Sequence, residues 1–165
     1  MSLHFVIDGY NLIKQTPALN KDNLEDSRAA LIKFLNIHRP QGSGNNQVTI
    51  VFDGKEGNFH YEAAAPSIEV IFSIGQSADD KIRRLVEESP HPKTIVVVTN
   101  DREIQLSVRQ LRAQVRTIDE FLKKSNHAQK LKQKTDKKNS ADEKVLSYSS
   151  EEKINEELKR IWLKS

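Results

Sequence analysis

The chain has 165 residues, a formal net charge of +3 and no cysteine. That length suits one main domain with a real core, and the missing cysteines exclude a disulfide framework, a thiolate zinc site and a cysteine nucleophile. The opening MSLHFVIDGY has neither a basic n-region nor a long apolar stretch, and no later apolar run reaches the roughly 18 residues that would span a bilayer. The expectation is therefore a cytoplasmic protein with no membrane partner.

In chain order, LHFVI (residues 3–7) predicts a first strand, which breaks abruptly into Asp8-Gly9-Tyr10-Asn11. Gly9 is read here as a sharp turn out of the sheet, because Asp-Gly is a common turn dipeptide. A helix is expected over 24–38, with Leu24, Leu31, Phe34 and Leu35 on one side and Pro40 beyond its end. After the turn-rich PQGSGNNQ come strands over 47–52 (QVTIVF) and 68–73 (IEVIFS), a helix over 78–88 and a strand over 94–99 (TIVVVT). A helix over 102–111 and a strand over 114–118 (QVRTI) follow. This alternation predicts an α/β domain with a mainly parallel sheet of about five strands. The unbroken apolarity of the first and fourth strands fits strands covered on both faces.

The charge is unevenly spread. Residues 1–122 carry 14 Lys/Arg against 16 Asp/Glu, whereas residues 123–147 carry 8 against 3. That basic segment has too few large apolar side chains to offset its ordering entropy and reads as a flexible linker. Basic linkers attract polyanions by counterion release. The last stretch, 148–165, has a capping box in Ser149 and Glu152 and places Ile154, Leu158, Ile161 and Trp162 on one side of a short amphipathic helix. Docking on its own domain and docking on a partner both fit that pattern.

Ligands of open parallel sheets bind at the carboxyl ends of the strands, near the point where strand order reverses. Each inner strand delivers an acid there. Asp8 follows the first strand, with Asn11 one turn on; Asp53 follows the second; Asp79 and Asp80 head the helix after the third; Asp101 follows the fourth, with Glu103 next. Taken singly, each has a turn or cap explanation: Asp8-Gly9 and Asp53-Gly54 as turns, Ser77 with Asp80 as a capping box, Asn100 or Asp101 as an N-cap. Taken together, converging carboxylates repel one another and raise one another's pKa unless a cation neutralises them. The pattern predicts a hard divalent ion, Mg²⁺ or Mn²⁺, which prefers oxygen ligands. His4, His38, His60, His91 and His127 show no HExxH spacing. No GxSxG, GxxxxGK[ST] or GxGxxG run occurs either.

With these residues in view, FVIDGYNLI, IVFDGKEG, SADDKIRRLVEES and IVVVTNDREIQLSVRQLRAQV together resemble the bacterial NYN-domain proteins of the YacP-like type, within the PIN-like nuclease superfamily. The resemblance runs from about Leu3 to Leu122. It implies a three-layer α/β/α fold and a metal-dependent ribonuclease. It also implies roles: Asp8 and Asn11 as the D-x-x-N motif, Asp53 as the acid after the second strand, Asp79 as the acid of the A-D motif, and Asp101 as the acid of the T/S-x-D motif. On this basis the chain divides into a nuclease domain (1–122), a basic linker (123–147) and a terminal helix (148–165). Asp8, Asp79 and Asp101 are the expected metal ligands, with Asp53 and Asp80 as further candidates and Glu103 as an adjacent acid.

The expected reaction is hydrolysis of single-stranded RNA as an endoribonuclease, with ribosome association as a further partner. Lys55, Arg83, Arg84, Arg102 and Arg109 are the candidates for gripping the RNA backbone, against the plain alternative that each is a solvated surface residue. Tyr10 is either packed or offers its ring to an unpaired base. The rival reading is a non-catalytic RNA- or ribosome-binding module with a vestigial acidic pocket. A metal-dependent phosphatase is a third, which leaves the basic linker unexplained.

Overall fold

The computed structural model describes residues 1–55 and 66–123. His60, the basic linker beyond Lys123 and the helix expected over 148–165 lie outside the described residues. Five strands, β1 (His4–Asp8), β2 (Gln47–Phe52), β3 (Ile68–Phe72), β4 (Ile95–Val98) and β5 (Gln114–Arg116), form one sheet in the order β3-β2-β1-β4-β5. All four pairings are parallel. The helices are α1 (Gly9–Gln15), α2 (Leu24–His38), α3 (Ala78–Glu87) and α4 (Arg102–Gln110), with single 3₁₀ turns at Pro17–Leu19 and Pro92–Thr94.

Successive residues of a strand point to opposite faces, and here both faces are covered. Phe5, Ile7, Val48, Ile50, Val96 and Val98 pack with Leu12 and Ile13 of α1 and with Leu31, Ile32 and Leu35 of α2. On the other face Val6, Val51, Ile95 and Val97 pack with Ile82 and Val86 of α3 and with Ile104 and Val108 of α4. The three-layer α/β/α architecture expected from the sequence is the one observed. Four helix starts carry side-chain caps: Asp8 on α1, Asn23 on α2, Ser77 on α3 and Asp101 on α4. Among the described residues no helix is long and apolar enough to cross a membrane.

Two local expectations fail. Asp8-Gly9-Tyr10-Asn11 is not a turn: β1 runs straight into α1, with Asp8 as the last strand residue and the N-cap. Gly9 is required by proximity rather than by a positive φ. A Cβ built there lies 2.4 Å from Phe52 Cε1, 2.6 Å from Phe52 Cδ1 and 3.0 Å from Ile50 Cγ2. Second, β5 ends at Arg116 instead of running through residue 118. Thr117 and Glu120 form a reciprocal capping box, the Thr117 N–H donating to Glu120 Oε2 at 2.9 Å and the Glu120 N–H to Thr117 Oγ1 at 3.2 Å. The helical turns that start there carry Ile118 and Phe121 into the first core layer.

The Gly9 contact yields a test. Alanine is the better helix former, but Phe52 is fully buried, with its ring centroid 5.0 Å from Tyr10 and 5.8 Å from Phe72, so it has little room to give way. Gly9→Ala is expected to cost about 1–3 kcal/mol, the range for overpacking a close-packed core. Urea unfolding checks this, and adding Phe52→Leu should recover part of the loss, giving a non-additive double-mutant cycle.

Candidate active site at the reversal of strand order

In the order β3-β2-β1-β4-β5, the connections run outward from β1 on one side and from β4 on the other, so the reversal lies between β1 and β4. Asp8 ends β1, and Thr99-Asn100-Asp101 leaves β4 beside it. The Thr99 hydroxyl, fully buried, donates to Asp8 Oδ2 at 3.4 Å and accepts the Asp101 N–H at 3.1 Å. Asn11 Oδ1 accepts the Asn100 N–H at 3.0 Å, and Asn100 Oδ1 accepts the Ile118 N–H at 3.0 Å. Gln105 Nε2 donates to the Thr99 carbonyl at 2.7 Å. These bonds tie α1, the β4 exit, α4 and the segment after β5 into one frame.

A cleft of about 320 Å³ opens over this frame. Asp8, Tyr10, Asn11 and Lys14 form its α1 wall, Asp53 stands at the end of β2, and Ser77, Ala78 and Asp79 close it from the start of α3. Asp53 is exposed and accepts a hydrogen bond from the buried Ser73 hydroxyl at 3.0 Å. Asp101 stands beside the cleft, and its Oδ1 accepts the Glu103 N–H at 2.8 Å and the Ile104 N–H at 3.3 Å. Asp80 turns to the Ser77 hydroxyl, 2.9 Å away, as the capping box requires.

Tyr10 is packed. Its ring lies on Phe52, and its hydroxyl accepts from the buried Arg28, whose Nε is 2.9 Å away. The Arg28 guanidinium lies 4.9 Å from the Phe72 ring centroid and 5.4 Å from that of Phe52, so a cation and three rings buttress this wall.

The electrostatics record the crowding of acids. Burial, joined by the charges of Asp79 and Asp101, raises the Asp8 carboxyl from 3.8 to about 6, against the pull of the Asn11 N–H and the Thr99 hydroxyl. Asp79 is also raised, first by burial and then by Asp101, Asp80, Glu103 and Asp53. The six acids singled out in the sequence therefore share one electrostatic neighbourhood. Oxygen-only donors that oppose one another's ionisation have the chemistry of a hard-cation site. Their side chains are not closed around one, since among the described residues no three His, Asp or Glu are arranged to hold an ion. Asp101 and Asp80 instead spend oxygens on helix caps.

The basic candidates divide. Arg102 starts α4 and is exposed at the site edge, while Lys55 is exposed just past β2. Arg83 and Arg84 are exposed about one turn along α3. Arg109 does not join them: it lies in the last turn of α4, roughly 10 Å along the helix from Arg102 at 1.5 Å per residue, toward the opposite end of the strands. Lys14, Ser77 and Thr99 belong to the site although none of them is among the candidate site residues read from the sequence. The T/S-x-D pattern already contained Thr99, and Ser77 was read only as a cap. Lys14 had no signal without α1.

The Asp8 shift gives a signed expectation. Its folded pKa lies above its unfolded value, so between about pH 4 and 6 the folded state binds more protons, and this group's contribution to stability falls as pH rises through that window. Asp8→Asn keeps an acceptor for the Asn11 N–H and removes the charge. In metal-free protein it is expected to raise unfolding stability at about pH 7.5 by roughly 2–3 kcal/mol, with most of the gain gone near pH 4.5. Urea unfolding in EDTA at both values checks it: a pH-independent difference would mean that nothing raises the Asp8 carboxyl on folding, and a difference of opposite sign that Asp8 acts only as a cap.

The comparisons with known proteins agree with this geometry. The YacP-like NYN domain matches residues 5–163, beyond the Leu122 limit of the motifs quoted above. Two crystal structures are similar. One is a tryptophan-to-leucine variant of Rae1 (YacP) from Bacillus subtilis, with 25% identity, 85% of each chain covered and a TM-score of 0.64. The other is Rae1 (YacP) from Bacillus subtilis without that change, with 21% identity, 96% of this chain and 93% of that one covered, and a TM-score of 0.64. No curated protein matches the chain by sequence. A five-stranded parallel sheet with the acids gathered at its reversal, together with a match over nearly the whole length, makes this chain a member of the YacP-like NYN domain family.

Proposed function

We propose that the protein is a metal-dependent ribonuclease that cuts single-stranded RNA internally, using Mg²⁺ or Mn²⁺. Membership of the YacP-like NYN family supports a ribonuclease-type activity at the level of the family. The observation that carries the finer reading is the cleft itself: Asp8, Asp53 and Asp79 line it, and Asp101 is joined to Asp8 through the Thr99 hydroxyl. Asp8, Asp79 and Asp101 would hold the ion, with Asp53 bordering it. When bound, such an ion supplies Lewis acidity at a phosphoryl oxygen and lowers the pKa of a water.

The chain's own contribution is placement. The Thr99 hydroxyl fixes Asp8 and the Asp101 backbone against each other, and Asn11 holds the β4 exit through Asn100. Arg28 and Phe52 keep Tyr10 fixed at the wall, where a half-buried ring suits an unstacked base. A positioned frame of this kind matters because misplacement of a reacting group by about 1 Å can cost on the order of 100-fold in rate.

A non-catalytic RNA-binding module is the second reading. It is favoured by the use of Asp101 and Asp80 as helix caps.

The two readings separate in one experiment. Full-length protein is expected to cleave single-stranded RNA with Mn²⁺ or Mg²⁺, to stop in EDTA, and to lose on the order of 100-fold or more in Asp8→Asn and in Asp101→Asn while both stay folded. Millimolar Mn²⁺ should raise the melting midpoint of the wild type more than that of Asp8→Asn, because an ion that binds only the folded state stabilises it by mass action. RNA binding without cleavage, and a midpoint indifferent to Mn²⁺, would select the binding module.

A further inference from the structure

A phosphodiester entering the cleft meets Asp8, Asp53 and Asp79, each of which repels it. Among the described residues that line the cleft, Lys14 carries the one positive charge. It sits in the last turn of α1, three residues after Asn11 and four after Tyr10, so all three share the side of the helix that faces the cleft. Leu12 and Ile13, on the other side, are buried in the core.

The helix that carries Lys14 is fixed at both of its outer contacts. Gly9 is wedged against Phe52, and Asn11 accepts the Asn100 N–H at 3.0 Å. A lysine on such a support is a mobile ammonium on a fixed base. It can follow a phosphate within the cleft without any movement of the backbone. Lysine's three N–H donors and compact charge suit a non-bridging phosphate oxygen.

We propose that Lys14 is a substrate-contacting residue that holds a backbone phosphate of the bound RNA strand at the α1 wall of the cleft. The proposal rests on the ribonuclease reading for its substrate, but its own prediction is about binding. A phosphate held equally in the ground state and the transition state changes KM and leaves kcat alone. One charge contact to single-stranded RNA contributes about 0.7 to the slope of log affinity against log salt.

The test uses full-length protein with a fluorescein-labelled single-stranded oligoribonucleotide, titrated in EDTA at several salt concentrations, beside cleavage kinetics in Mn²⁺. Lys14→Gln is expected to weaken binding about 5- to 30-fold at low salt, to flatten the salt slope by about 0.7, and to raise KM with kcat unchanged. Lys14→Arg should restore the slope, and both variants should melt with the wild type, since Lys14 is exposed. Equal affinity and equal slope in wild type and Lys14→Gln would overturn the proposal and leave Lys14 a solvated surface residue. If the wild type binds RNA with the expected Lys14 dependence but never cleaves it, the phosphate contact stands and the ribonuclease reading falls. If the wild type binds no RNA, both fall.

Discussion

The approach of Gly9 to the Phe52 ring is the constraint on which the rest of the site depends. β1 and β2 are neighbours in the sheet, and a helix leaving the end of β1 must cross close to the end of β2. A built Cβ at residue 9 would stand 2.4 Å from that ring, so only glycine lets α1 start where it does. Everything on α1 inherits its place from this contact. Asp8 becomes strand end and N-cap at once, Asn11 reaches the Asn100 N–H, and Tyr10 and Lys14 face the cleft. Arg28 and Phe72 complete the packing around Phe52, so the wall of the cleft rests on a stack of rings and a buried guanidinium.

The acids hold two occupations. Asp8, Asp80 and Asp101 each satisfy backbone N–H groups or a cap hydroxyl at a helix start, which is the ordinary work of an aspartate there. A carboxylate used only in this way gains stability from its hydrogen bonds, with the helix dipole favouring its charge. At Asp8 burial and the neighbouring acids overcome those bonds and raise the carboxyl to about 6, and Asp79 is raised by burial and by four neighbouring acids. The fold thus carries a set of charges that oppose one another at the reversal of strand order, the place where parallel sheets bind their ligands. Such local cost is characteristic of sites retained for chemistry rather than for stability.

Much of this was legible in the sequence for identifiable reasons. β2 has the boundaries expected and the other strands differ by one or two residues at their ends; the inner strands β1, β2 and β4 are legible because strands buried on both faces read as unbroken β-branched runs. α2 starts and ends where expected from its apolar side and the proline beyond it, and α3 and α4 start where expected, with the caps Ser77 and Asp101 as local signals. α1 is not legible in the sequence because its seven residues begin with glycine after an aspartate, a pair whose commonest meaning is a turn. The Thr117–Glu120 box is as local as the others, but it follows directly on QVRTI, whose β-branched residues extend the strand pattern over it.

The sequence by itself determined the five strands and the helices α2, α3 and α4, that the first and fourth strands are covered on both faces, and that acids follow the strand ends. It could do so because these are properties of short windows: periodicity, capping and turn chemistry. Only the tertiary structure decided that β1 lies between β2 and β4, so that Asp8, Asp53, Asp79 and the Thr99–Asp101 segment meet around one cleft while Arg109 falls at the far end of α4. It alone decided that Gly9 serves a close approach, and that Lys14 lines the cleft. The order of parallel strands follows from how crossover helices pack on the two faces, and a glycine's neighbour comes from another strand. Both are contacts between residues distant in the chain, which no local pattern encodes.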